Sequence, residues 1–336
     1  VSNIFKQTVT LCRNIAAMKL AWFMVAVATA FLAALCAFPA LALDRWKRAA
    51  VLAALAVPVA LSPLWIPAQA SAGRLLAAMN AIALLVKLYD LHVSASGSRR
   101  PDFRTFVLFL PNWFSIVWRR LAQEGHPTMR ENLVRLAQSV WRLAIAVVIL
   151  VGLFRIDWTA VPFALEHCAK ALALFITLIP ASALGATLWR MAGGRAREFM
   201  DAPLLAPTPA DFWRRYNRPA QQFFYEDVFK QVGAYKSPLL AAFATFVVSA
   251  LAHEYVFGVT LGSIQGYQTA FFLSQGLGVI ATVRLRPSDA TAWLWIAATW
   301  IFNLATSLFF FASLHAVVPF YSRGLPKWLS GWSLFG

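Results

Sequence analysis

His253 and Glu254 stand side by side in the run Ala241 to Tyr255, AAFATFVVSALAHEY, whose other members are apolar, small or hydroxyl-bearing. An ionisable pair inside a lipid-length apolar segment is costly, and such pairs mark substrate pathways or catalytic sites more often than packing. An imidazole there is available as a neutral base, because low dielectric disfavours its charged form; its bland alternative is to bridge helices by hydrogen bonds. About three dozen residues upstream, the segment Asp211 to Pro219, DFWRRYNRP, supplies Asn217. A carboxamide N–H can donate to charge developing on a reacting oxygen or sulfur. Taken alone, however, an asparagine reads as a helix-end or turn residue. Trp213, Arg214, Arg215 and Arg218 accompany it. Guanidinium groups so placed anchor lipid headgroups or hold the phosphates of a cofactor.

These residues need helices to hold them. Thr208-Pro209-Ala210-Asp211 predicts a helix start, with a capping hydroxyl, a proline at the first position and a carboxylate three residues after the cap. Pro219 ends that helix soon after Asn217. Beyond it, Phe224, Tyr225, Val228, Phe229 and Val232 share one helical face while Gln222, Glu226, Asp227 and Lys230 lie on others, the pattern of a helix lying in the membrane interface. Pro238 to Leu261 predicts a membrane span, with His253 about 20 Å from its cytoplasmic end. Phe246, Ser249, Ala250, Val256, Phe257 and Thr260 share the face of His253, a lane that could line a slot for an alkyl chain. Glu254 points about 100° away and must bond to another helix or to backbone groups.

The remainder of the chain supplies the bundle around this stretch. It has 336 residues, 60% hydrophobic and 13% charged, with a formal net charge of +16. Apolar runs recur along its whole length, which predicts an all-α, polytopic transmembrane bundle forming one membrane-embedded domain over 1–336. The basic residues lie mainly between the runs, as the positive-inside bias requires, and no basic stripe on a soluble domain points to nucleic acid. Cys12, Cys36 and Cys168 lack metal or disulfide spacing, and Glu166-His167-Cys168 is too short a cluster to hold a metal. His92, His126, His167 and His315 read as structural or interfacial. The N-terminal run is too long for a signal peptide and predicts a retained membrane helix.

In order, residues 1 to 19 predict an interfacial helix, followed by spans over Leu20–Leu43, Ala49–Ile66 with kinks at Pro58 and Pro63, and Leu75–Leu91. Lys87 and Asp90 are spaced to snorkel toward the cytoplasmic interface. His92 to Arg135 holds Arg99, Arg100, Arg104, Arg119, Arg120, Arg130 and Arg135 around a short apolar piece, Phe103 to Val117. Interrupted by Pro111 and Asn112, that piece predicts an interfacial or re-entrant element. Leu136–Phe154, Ala169–Leu188, Pro238–Leu261, Tyr267–Thr282 and Thr291–Phe311 complete eight expected spans, give or take one.

Asn217 in its Phe-Trp-x-x-x-Asn setting, followed by His253 in an apolar helix, resembles the membrane-bound O-acyltransferase superfamily. Pro203-Leu204-Leu205-Ala206, the segment Asp211 to Asn217 and FVVSALAHE from Phe246 to Glu254 are similar to the wax synthase group. Asn217-Arg218-Pro219 and the His-Glu-Tyr ending at Tyr255 resemble sterol and diacylglycerol acyltransferases, from which Tyr216 and Ala220-Gln221 depart. The resemblance is carried by residues 203 to 258. It implies His253 and Asn217 as catalytic residues, and Trp213, Arg214, Arg215, Arg218, Ser249, Glu254, Tyr255 and Phe257 as the substrate-binding set. It also implies acyl-CoA as co-substrate with no permanently bound cofactor, a lipophilic alcohol as acceptor, contact with membrane lipids, and room for homo-oligomers. Residue usage rich in Ala, Leu and Arg suits a bacterial inner membrane more than the alternative, the endoplasmic reticulum. Two other classes stay open on the residues alone: a transporter using His253 and Glu254 as a relay, and a non-catalytic lipid-binding protein.

Overall fold

A computed structural model of the chain describes residues 2–94, 100–122, 124–125, 127–234 and 236–330, with the side chains of residues 2–17 left out. Arg99, His126 and the side chain of Cys12, all named in the sequence reading, lie outside that description. The protein is all-α, with no strand among the described residues. Ten helices carry the argument: α1 (Ser2–Leu35), α2 (Arg45–Leu61), α3 (Ser71–Ser94), α4 (Met129–Arg155), α5 (Phe163–Met191), α6 (Pro209–Arg215), α7 (Arg218–Phe223), α8 (Pro238–Leu261), α9 (Tyr267–Thr282) and α10 (Ala292–Val317). Seven helical segments among the described residues are long and apolar enough to cross a membrane, and the chain is an integral, multi-pass membrane protein. The eighth expected span, α9, has only 16 residues, about 24 Å of helix.

Packing divides the chain into two compact units, Val1–Pro111 with Tyr255–Ile264, and Asn112–Glu254 with Gln265–Gly336. In the first, α1 runs unbroken from Ser2 to Leu35, without the separation expected between an interfacial segment and a span. Ala26 of α1 and Ala77 of α3 meet around Ile66; small residues let helices approach where lipid supplies no hydrophobic drive. Pro58 lies within α2, and Pro63 falls in the turn of 3₁₀-helix that follows it. Asp44 begins α2 by accepting from the Lys47 amide at 3.1 Å. The apolar piece after Asp102 forms only the seven-residue helix Phe103–Phe109, stopped before Pro111.

Lys87 and Asp90 depart from expectation. Both are buried, at 1% and 0% exposure. Lys87 turns inward, and its Nζ donates to the carbonyls of Phe109 and Leu110 at 2.7 and 2.6 Å. Those are carbonyls at the C-terminal end of the Phe103–Phe109 helix, where the negative end of its dipole lies. Reaching them satisfies the ammonium better than stretching toward the interface.

In the second unit, α4 and α5 pack along each other, joined by a short loop. A capping box starts α4: Glu131 N donates to Thr128 Oγ1 at 3.2 Å, and Thr128 N donates to Glu131 Oε2 at 2.7 Å. His167 of α5 is buried, with Nδ1 2.7 Å from the Tyr321 hydroxyl and Nε2 2.8 Å from the Leu304 carbonyl. Beside it, Lys170 donates to Glu166, which also accepts from Ser322 N at 2.8 Å. His167 and these charges pin the segment after α10 to α5.

Helix α9 packs on α10, on α6 and on the Phe243–Phe246 surface of α8. A Cβ at Gly276 would stand 3.0 Å from Phe246 Cβ and 3.1 Å from Phe243 Cδ2. Because Phe246 Cβ is fixed to its own backbone, a side chain at 276 would have to push α8 and α9 apart by a few tenths of an ångström. Gly276→Leu is therefore expected to destabilise the protein by about 1–3 kcal/mol through overpacking, read as a lowered unfolding midpoint in detergent. An unchanged midpoint would show that α8 and α9 can separate freely.

Candidate active site

His253 lies in α8, its Nδ1 2.8 Å from the carbonyl of Ser249 one turn earlier. A carbonyl oxygen only accepts, so Nδ1 carries the proton and, in a neutral ring, Nε2 holds the lone pair. Nε2 has no hydrogen-bond partner among the described residues. Phe272 of α9 covers the ring at a centroid distance of 4.2 Å, and Phe310 of α10 lies 6.5 Å away.

The face of α8 bearing His253 is the one on which α6 docks. Phe246 and Ala250 form a buried cluster with Ala210, Phe272 and Val279, and Trp213 packs against it. Phe246 and Ala250, two residues of the lane expected for an alkyl chain, are therefore packed against protein side chains. Trp213 stands 5.4 Å from Phe246 and 6.0 Å from Phe272, ring to ring. Its indole Nε1 donates to Gln275 Oε1 at 2.8 Å, and Gln275 Nε2 donates to Thr306 Oγ1 at 2.7 Å. Helix α6 begins as expected, Thr208 accepting from Asp211 N at 3.1 Å, and the Ala210 amide donates to Thr282 at the end of α9. Tyr216 stacks between Phe212 at 5.5 Å and Phe175 at 5.7 Å; burial pushes its phenol above the ordinary value.

Asn217 sits between α6 and α7 with φ 44° and ψ 59°, the left-handed region that asparagine tolerates better than most residues. Its Oδ1 accepts from Ala220 N at 3.3 Å, making it the cap of α7. Its Nδ2 has no partner among the described residues. The turn is bracketed by the segment before α6: Arg218 N donates to Phe199 O, and Asp201 N donates to Arg215 O, both at 2.9 Å.

The arginines around Asn217 are partly committed. Arg215 Nε donates to Asp211 Oδ2 at 2.7 Å and Arg214 to Oδ1 at 3.1 Å, while Arg218 meets Asp201 loosely at 3.7 Å. Arg119 pairs with Asp227 and Arg120 with Glu226. Asp227 and Val228 are buried together because the chain after α7 continues as a π-helix over Phe224–Phe229. That wider turn breaks the periodicity expected of an interfacial helix. Burial pulls the Arg197 guanidinium below its ordinary value, opposed by Glu124 and reinforced by the nearby charges of Arg218 and Arg120.

Glu254 is buried and points away from His253's face. Oε1 accepts from Thr269 N at 2.8 Å and Thr269 Oγ1 at 3.0 Å, and Oε2 accepts from Gly266 N at 3.3 Å. It caps α9, whose first position follows a glycine with no side chain to offer. The start of α9 is thus held at Glu254 of α8. In the other unit, the Tyr255 hydroxyl donates to Ala60 O at 2.6 Å, and Phe257 is buried.

The structure brings together Trp213, Phe246, Ser249, Ala250 and His253, with Asn217 four residues beyond Trp213. Phe272, Gln275, Thr306 and Phe310 join them without having been singled out from sequence. Gln275 and Thr306 are polar positions inside apolar helices, a signal that could have marked them. Glu254→Ala is expected to cost about 1–3 kcal/mol by orphaning buried amides, and to speed hydrogen exchange at Gly266 and Thr269. Glu254→Gln, which keeps an acceptor, should restore most of the protection.

The family model described as MBOAT, membrane-bound O-acyltransferase family, matches residues 133–315, more than half of the chain. Comparison with curated proteins gives no match.

Proposed function

From the premise that the chain belongs to the membrane-bound O-acyltransferase family, we propose that it moves a long-chain acyl group from acyl-CoA to a lipophilic alcohol, forming a wax ester. The observation that carries this reading is the 2.8 Å contact between His253 Nδ1 and the Ser249 carbonyl. With Nδ1 committed to Ser249 O, Nε2 is the nitrogen able to take a hydroxyl proton.

In the reaction, the alcohol oxygen bonds to the thioester carbonyl carbon as its proton passes to His253 Nε2. Ser249 O accepts from Nδ1–H throughout and steadies the imidazolium. Asn217 Nδ2 donates to the oxyanion or to the departing sulfur. The C–S bond then breaks, the thiolate takes the proton back from His253, and ester and free CoA leave. A thioester is already activated, so no covalent nucleophile is needed. Arg218 and Arg197, the arginines near Asn217 least neutralised by carboxylates, face the donor's phosphates in this scheme. Arg214 and Arg215 shape the same surface through Asp211. A bacterial inner membrane is the setting that residue usage favours.

Purified protein in lipid nanodiscs, given labelled long-chain acyl-CoA with fatty alcohol, sterol or diacylglycerol, is expected to yield labelled wax ester. His253→Ala should yield none. Asn217→Asp retains an oxygen to cap α7 and the residue's tolerance of positive φ but loses the amide donor. It should stay folded while kcat falls by about 10²–10³-fold. Esterification of sterol or diacylglycerol in place of fatty alcohol would move the acceptor assignment, and full activity in His253→Ala would remove the base assignment.

A further inference from the structure

Asn303 lies in α10 at 8% exposure, and both Oδ1 and Nδ2 are shielded from solvent without a hydrogen-bond partner among the described residues. It stands eleven residues into the helix, about 17 Å from its basic, cytoplasmic end and within hydrocarbon depth. A carboxamide left unmet there is expensive, since no solvent can serve it. The polar neighbours one turn to either side are satisfied. One turn earlier, Trp300 Nε1 donates to Leu204 O at 3.0 Å and its ring packs on Phe175 and Phe212. One turn later, Thr306 accepts from Gln275, which holds Trp213. Both neighbours thus engage α6 or its partners. Two turns on, Phe310 reaches His253.

We infer that Asn303 is a subsite for the amide-bearing arm of the thioester donor, Nδ2 donating to an amide carbonyl and Oδ1 accepting from an amide N–H. This rests on the acyl-CoA reading above. The reacting hydroxyl must be at His253, which Phe310 places about 10 Å further along α10 than Asn303, and a fatty alcohol has no second polar group to offer. The donor's arm does: its two amides lie within about 10 Å of the sulfur by ordinary covalent dimensions. Asn303 also lies nearer the cytoplasmic end of its helix than Phe310 does, the side from which a phosphorylated donor arrives.

The test compares three donors of equal acyl length: acyl-CoA, acyl-pantetheine, and the acyl ester of ethanethiol, which has no amide. In Asn303→Leu, the ratio of kcat/KM for either amide-bearing donor to that for the amide-free donor should fall several-fold to about 10-fold, carried by KM. The melting temperature should hold or rise, because an unmet carboxamide has become apolar. Acyl-CoA binding measured by calorimetry should weaken in parallel. An unchanged ratio overturns the subsite, whether buried water serves Asn303 or its loss slows every donor alike. Wild-type protein that neither binds nor turns over any of the donors overturns the acyltransferase reading, and the subsite with it.

Discussion

The indole of Trp213 is the joint on which the placing of both candidate catalytic groups depends. A seven-residue helix has no stability of its own, so α6 holds its shape only because it is docked. The docking is largely aromatic, with Trp213 against Phe246 and Phe272, and Phe212 against Trp300. Aromatic contact alone would let the ring slide. The indole N–H fixes it, because a buried donor at membrane depth must find an acceptor, and Gln275 supplies one while itself held by Thr306. Thr306 passes its own proton to carbonyls of α10. A chain of three side chains therefore runs from the helix preceding Asn217 into the helix whose Phe310 lies near His253.

The same rule governs the charges. Lys87 takes helix-terminal carbonyls, Lys170 takes Glu166 and the Phe320 carbonyl, and Glu254 takes the first amides of α9. Breaking one partner of a buried pair strands the other at a cost of about 3–5 kcal/mol, so these contacts fix geometry more than they add net stability. Asn303 stands out against this background. Three residues from a fully engaged threonine, its carboxamide is matched by none of the described groups.

Much of the architecture was legible in the sequence because hydropathy and loop charge act on long segments. The start of α6 was readable from Thr208, Pro209 and Asp211, which act within one turn. Other features depend on partners far along the chain. Lys87 and Asp90 have the spacing of snorkelling residues, and only the distant carbonyls of Phe109 and Leu110 turn Lys87 inward. The π-helix after α7 cannot be read from a 3.6-residue period, since it is a departure from it. Gln275 and Thr306 show in the sequence only as polar positions within apolar helices, and the partner they hold, Trp213, lies far along the chain. The need of Glu254 for backbone donors was readable, but that they belong to Gly266 and Thr269 was not.

For Asn217 and His253 the sequence poses a choice between a structural and a chemical role, and in the structure each makes a backbone contact with one of its two polar atoms. Each side chain has two polar atoms with different duties. Asn217 gives Oδ1 to the Ala220 amide and so holds a turn of positive φ, which leaves Nδ2 unengaged. His253 commits Nδ1 to the Ser249 carbonyl and so fixes which nitrogen is basic. In both, the backbone contact orients the remaining atom, and an oriented donor or base needs no reorganisation when charge develops. The residue that caps α7 therefore keeps an amide N–H held in a fixed orientation, and the imidazole that bonds along its own helix keeps a defined lone pair. Capping and catalysis compete for a side chain only when it has a single polar atom.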